Sequence, residues 1–265
     1  HPLNVLNPFR KAQRVFRNAD VSIVNLETPL YNGKPTWWKK YPLPNENYQK
    51  TLVAPTHKVN ELINAGVNIV SLANNHADDA GIEGFHSTIS TLDKSKILHA
   101  GTNPTGDPFE PAITEVKDKV IVFFSVTLER NFGNSWGDDS EYESPLAYID
   151  DLEKYEKLLK MIEFQREMSS NSFIIVSVHW GDQYREKPEP WQEVFAKDII
   201  DSGANCILGH HPHVLQKVST YKESLVFFSL GNLLFDHNYD SPGHGSVKNE
   251  KTKNGAIYTF KITPE

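Results

Sequence analysis

Cys206-Ile207-Leu208 runs straight into Gly209-His210-His211-Pro212-His213, so an apolar stretch fit for a buried strand ends in three imidazoles within four residues. A chain built this way must place a core strand so that its last residues meet a polar environment. Imidazole is the commonest neutral metal ligand near neutral pH, and ligands at the tip of a rigid strand need no further ordering. Four other polar clusters follow apolar runs in the same manner: Asn25-Leu26-Glu27, Asn74-Asn75-His76, His179-Trp180-Gly181-Asp182 and Ser229-Leu230-Gly231-Asn232. The alternative for each is a solvated turn, but several such tips are what an assembled site requires.

The intervening segments alternate in period. Pro8 to Asn18, His57 to Ala65, Ile82 to Lys94, Asp150 to Met168 and Trp191 to Ser202 have helical spacing, with Gly66 and Gly203 as stops. Strands are predicted at Asp20 to Glu27, Val67 to Leu72, Ile97 to Ala100, Phe173 to Val178 and Cys206 to Leu208. Ala112 to Val116 with Val120 to Val126, and Val214 to Val218 with Leu225 to Phe228, read as hairpins, and Ala256 to Ile262 reads as a last strand. Right-handed βαβ crossovers lay strands parallel, with their C-terminal ends on one edge. The expected fold is α/β, two packed mixed β-sheets flanked by helices, in a single domain over residues 1–265.

Residues 31–55 break the alternation with Asn32-Gly33, four prolines and Trp37-Trp38-Lys39-Lys40-Tyr41. A loop of this length in a compact domain is usually functional, so it reads as a substrate-side flap, or else as a loop whose aromatics merely pack on the body. Its surroundings are basic: residues 1–50 hold eight Lys and Arg against three Asp and Glu, although the whole chain carries −7. That balance argues against a general nucleic-acid binder and suits an anionic substrate or polymer.

Cys206 is the single cysteine, which excludes an intrachain disulfide and a zinc–thiolate cluster. No run of 18 apolar residues suggests a membrane span, and His1-Pro2-Leu3-Asn4 does not begin a signal peptide, so the chain is expected to be cytosolic or to have lost its N-terminus. The convergent tips offer carboxylate, amide and imidazole without thiolate, a hard-to-borderline set that admits Mn, Fe, Zn or Mg. Asn75 and His76 have an alternative as caps of the helix near Gly81, and Asp78, Asp79, Asp182 and Asp236 read first as turn residues. His57, His86, His99, His237 and His244 fall outside the tips.

Asn25-Leu26-Glu27, Ser71-Leu72-Ala73-Asn74-Asn75-His76, Val178-His179-Trp180-Gly181, Gly209-His210-His211-Pro212-His213 and Ser229-Leu230-Gly231-Asn232 together resemble the CapA family, across nearly the whole chain and in the family's order. That family is associated with poly-γ-glutamate capsule synthesis and resembles a branch of the calcineurin-like metallophosphoesterases. The resemblance implies an α/β/β/α sandwich with divalent metal at the strand ends. It implies Asn75, His179, His211 and His213 as metal ligands, Glu27 as the bridging carboxylate, and His76 as the non-ligand that protonates a leaving group. His210 is then a spare that packs or supports a ligand. Asn25, Trp37, Trp38, Lys39 and Asn232 are candidates for contacting substrate.

The relatives' pattern opens with a strand ending in Gly-Asp, which is missing from the sequence given; an upstream segment and a site made by Glu27, Asn75, His179 and His211 alone both stay open. The reaction implied is metal-dependent hydrolysis of a phosphoester or a γ-glutamyl amide. The rival is a non-catalytic capsule assembly or polymer-binding protein with a vestigial metal site. Both imply an extracytoplasmic or envelope-associated setting and other capsule-synthesis proteins as partners, with an upstream membrane anchor left open.

Overall fold

The computed structural model describes residues 9–33, 52–130, 145–235 and 250–263. They fall into two compact units, one built from residues 9–33, 52–72 and 76–99, the other from 73–75, 100–130, 145–235 and 250–263. The class is α/β with two sheets and flanking helices, as the alternation predicts.

In the first unit β1 (Ile23–Asn25) pairs in parallel with β2 (Ile69–Ser71), and β3 (Leu98–Ala100) lies on the other side of β2. Helices α1 (Gln13–Asn18), α2 (Val59–Ala65) and α3 (Gly81–Lys94) supply the apolar partners. Phe16, Leu62, Ala65, Val70, Leu72 and Leu92 form one buried cluster. Burying such side chains contributes about 1.5–3 kcal/mol each, which offsets the cost of ordering short elements. Gly66, at φ +92, ends α2 in the left-handed conformation that the helix stop requires.

The second unit holds a six-stranded sheet. Its strands are β4 (Ala112–Val116), β5 (Lys119–Thr127), β6 (Ser172–His179), β7 (Cys206–His210), β8 (Val218–Tyr221) and β9 (Ser224–Phe227), in the order β4-β5-β6-β7-β9-β8. The central pairs β5–β6, β6–β7 and β7–β9 are parallel, while β4 and β8 close the edges antiparallel. Central strands covered on both faces read as continuous apolar runs, and Ile174, Val176, Val178, Cys206 and Ile207 are all fully buried. Helix α4 (Leu152–Met168) begins where the Asp151 carboxylate accepts from the Lys154 N–H at 2.8 Å, and it buries Leu158 and Ile162. Helix α5 (Pro190–Asp201) starts with a proline and a Glu189–Gln192 capping box.

Two expectations need correction. The second hairpin uses Val218–Tyr221, not Val214 to Val218, because Tyr221 pairs with Ser224 across a two-residue turn at Lys222 (φ 45) and Glu223 (φ 70). Such turns normally announce themselves with Asn or Gly, and a Lys-Glu pair hides this one. Ala256 to Ile262 makes no strand: an isolated bridge pairs Gly255, just before it, with Gly231, the Ala256 N–H donates to the Leu230 carbonyl at 3.0 Å, and Tyr258 and Phe260 lay their rings on Phe227 and Phe173. Its alternation reflects ring packing and not ladder pairing. No helix among the described residues is long and apolar enough to cross a membrane.

Candidate functional site

Strands β6 and β7 end side by side, with His179 opposite His210 in register, so the residues that follow leave the sheet at one place. On the other side of β7, Gly209 permits the close approach of the chain leaving β9: a Cβ there would lie 2.1 Å from the Phe228 carbonyl oxygen. Past the strand the backbone turns sharply, with His211 at φ +97 and His213 at φ +56. Left-handed backbone at non-glycine residues costs roughly 1–3 kcal/mol and clusters where function over-determines geometry. Trp180, fully buried, anchors the turn by donating from Nε1 to the Phe228 carbonyl at 2.9 Å and stacking on the Phe228 ring at 5.8 Å.

Three donor atoms converge there. His179 Nε2 lies 2.8 Å from Asn75 Oδ1 and 3.0 Å from His211 Nδ1, and all three residues are buried. If Nε2 carries a proton, one hydrogen must serve both neighbours. If it is bare, its lone pair faces the Asn75 oxygen. No tautomer gives each contact its own hydrogen bond, whereas a cation would satisfy every lone pair at once, and amide plus imidazole suits a borderline divalent ion. Among the described residues, no group of three or more His, Cys, Asp or Glu side chains is arranged to hold a metal ion; this cluster consists of two imidazoles and an amide.

His213 stands two residues further along the same turn, its ring 6.1 Å from that of His211, with Nδ1 2.9 Å from Asn232 Oδ1. Asn232 thus bonds a site histidine. His210, at the strand end, is pushed down to about 4 by desolvation and stays neutral at physiological pH. Asn75, His179, His211, His213 and Asn232 all belong to the second unit.

The first unit contains three other predicted residues, Asn25, Glu27 and His76, and a partner that the sequence did not single out. Asn25 Nδ2 donates to Glu27 Oε2 at 3.0 Å, so the side chains two apart on the strand do meet. His76 Nδ1 lies 2.8 Å from Asp79 Oδ2, and the same oxygen accepts the Leu52 N–H at 2.6 Å. Burial alone would lower the His76 pKa, but Asp79, followed by Glu27 and Asp78, outweighs it and the net shift is upward. Burial raises the Asp79 carboxyl against the opposing pull of His76.

Asp79 is therefore a buried partner of His76 and not a simple turn residue; its position three residues after a histidine was the available signal. The capping alternative for Asn75 and His76 does not hold, since Ala80 caps α3 and no side chain bonds there. Asp182 pairs with Arg185 at 2.9 Å on the surface, in keeping with a turn role. Trp37, Trp38, Lys39 and Asp236 lie outside the described residues, as does most of the expected flap.

Fold and site together define an α/β protein that gathers amide and imidazole groups at the C-terminal ends of parallel strands. Residues 3–237 match the family described as Bacterial capsule synthesis protein PGA_cap, and the chain belongs to that family. It is 32% identical over 264 residues to the "Capsule biosynthesis protein CapA" of Bacillus anthracis, covering 96% of this chain and 57% of that protein. It is 25% identical over 258 residues to the "PGA biosynthesis protein CapA" of Bacillus subtilis, covering 97% and 64%. It is also 22% identical over 254 residues to a "Probable polyglutamine synthesis accessory protein" of Mycobacterium tuberculosis, covering 92% and 63%. The chain thus spans about six-tenths of the length of these relatives, and the resemblance to the CapA family holds.

Proposed function

We propose that this chain serves capsule or poly-γ-glutamate biosynthesis through a divalent-cation site made by Asn75, His179 and His211, acting on an anionic substrate at the cell envelope. The observation that carries the reading is the convergence of Asn75 Oδ1, His179 Nε2 and His211 Nδ1 within hydrogen-bonding distance, with no tautomer serving both contacts. A bound divalent ion would polarise a phosphoryl or carbonyl oxygen and lower the pKa of bound water.

In this reading Asn75 and the two histidines bind the ion as neutral donors. His213 and Glu27 are further ligand candidates, as the family resemblance implies. His76 Nε2 is the proton donor to a departing oxygen or nitrogen, with Asp79 holding Nδ1 so that the imidazolium persists to higher pH than usual. The reaction is hydrolysis of a phosphoester or a γ-glutamyl amide. The basic N-terminal sequence, eight cationic against three anionic residues over 1–50, supports an anionic substrate.

A second reading is that the site assists an assembly without turnover, working alongside other capsule-synthesis proteins, and the name "accessory protein" borne by the mycobacterial relative favours it. Metal analysis after loading with Mn, Fe, Zn or Mg, joined to phosphodiester and γ-glutamyl assays, separates the two. The enzyme reading expects His211→Ala to lose the ion and His76→Ala to keep it while losing turnover. Full ion stoichiometry in His211→Ala sinks the cation site. Ion binding without turnover in the unsubstituted chain favours the assembly role.

A further inference from the structure

Asn232 makes three hydrogen bonds that together define its chemistry. Its Nδ2 donates to the His213 carbonyl at 3.2 Å and to the Thr252 carbonyl at 2.9 Å. Those acceptors determine which end of the amide is nitrogen, because a flipped group would set its oxygen against both carbonyls. Oδ1 therefore faces His213 Nδ1, at 2.9 Å. An amide oxygen only accepts, so the ring nitrogen donates and must carry the hydrogen. In a neutral imidazole the lone pair then sits on Nε2.

We propose that Asn232 is a positioning residue that locks His213 in the Nδ1–H tautomer and so makes Nε2 the nitrogen through which this histidine acts. The isolated side chain favours the opposite tautomer, so the protein must impose this one. Asn232 grips the same residue twice, at the ring and at the backbone carbonyl, and His213 sits at φ +56, where such a grip is needed. The rings of Phe235 and Tyr184, at 4.9 and 6.2 Å, flank the imidazole and limit its rotation. The clamp has a distant component: Thr252 is buried in the short turn Glu250–Lys253, so a segment near the end of the described chain aims a strand-end amide.

The proposal rests on the cation reading only for what Nε2 does, and the tautomer can be measured with no ion present. Long-range 1H–15N correlation spectra of the chelator-treated chain, recorded where the ring is neutral and assigned with His213→Gln, report which nitrogen carries the hydrogen. The unsubstituted chain should show a protonated Nδ1 and a bare Nε2 at His213. Asn232→Ala should move the hydrogen predominantly to Nε2. Asn232→Asp, which still presents an oxygen to Nδ1, should keep it on Nδ1, and this variant decides the matter should the alanine variant not fold. A bare Nδ1 in the unsubstituted chain or in Asn232→Asp overturns the proposal, as does a retained Nδ1–H in folded Asn232→Ala. Failure of the chain to take up metal would count against the cation reading alone.

Discussion

The polar tips of the two units differ in chemistry. In the first unit each tip pairs a neutral or basic group with a carboxylate: Asn25 with Glu27, and His76 with Asp79. In the second the tips meet one another through amide and imidazole alone: Asn75, His179 and His211, then His213 and Asn232. Carboxylates fix charge on the first set, and burial makes that charge costly unless it is paired. The second set carries no carboxylate and presents only amide and imidazole groups. Similar sequence patterns, an apolar run followed by a polar tip, therefore produce one region in which polar groups pair with carboxylates and another in which amide and imidazole meet one another.

The contrast can be broken experimentally. The largest effect on stability is expected at the apolar support of the second set: Trp180→Ala should cost about 3–5 kcal/mol in denaturant unfolding, through the cavity and the lost bond to the Phe228 carbonyl. A loss under 1 kcal/mol would mean that the turn does not depend on this anchor. In the first unit Asp79→Ala removes the acceptor of both His76 Nδ1 and the Leu52 N–H, for an expected loss of about 1–3 kcal/mol. That variant should leave ion binding at the second unit's cluster intact, and losing the ion would erase the distinction between the regions.

The smallest effect concerns Cys206 in β7. Burial pushes its thiol up to about 12, so the thiolate stays scarce in the folded chain as pH rises through the range where an unfolded cysteine ionises. Labelling by a thiol reagent at mildly alkaline pH should therefore track unfolding, with rates rising in step with denaturant. Rapid labelling of the native chain would show that the strand next to the histidine turn opens on its own.

Much of the fold was legible because apolar runs bounded by glycine and polar residues leave few choices of element. The run Phe173-Ile-Ile-Val-Ser-Val178 became the middle of β6, and Gly66 and Gly203 lie where α2 and α5 run out. The second hairpin was misplaced because its turn carries Lys222 and Glu223, whose left-handed backbone no local signal announces. The segment at Ala256 to Ile262 misled for another reason: alternating apolar residues serve ring packing as readily as a ladder, and only neighbouring strands decide which.

The sequence alone determined the residue types at the strand ends and the family to which the chain belongs, since strand periodicity and motif order are properties of the linear chain. Tertiary structure decided the long-range pairings: Asn75 with His179 across 104 positions, and Thr252 with Asn232. Hydrogen bonds are short-ranged and directional, so which lone pair meets which proton is settled only when distant segments are brought within about 3 Å of one another.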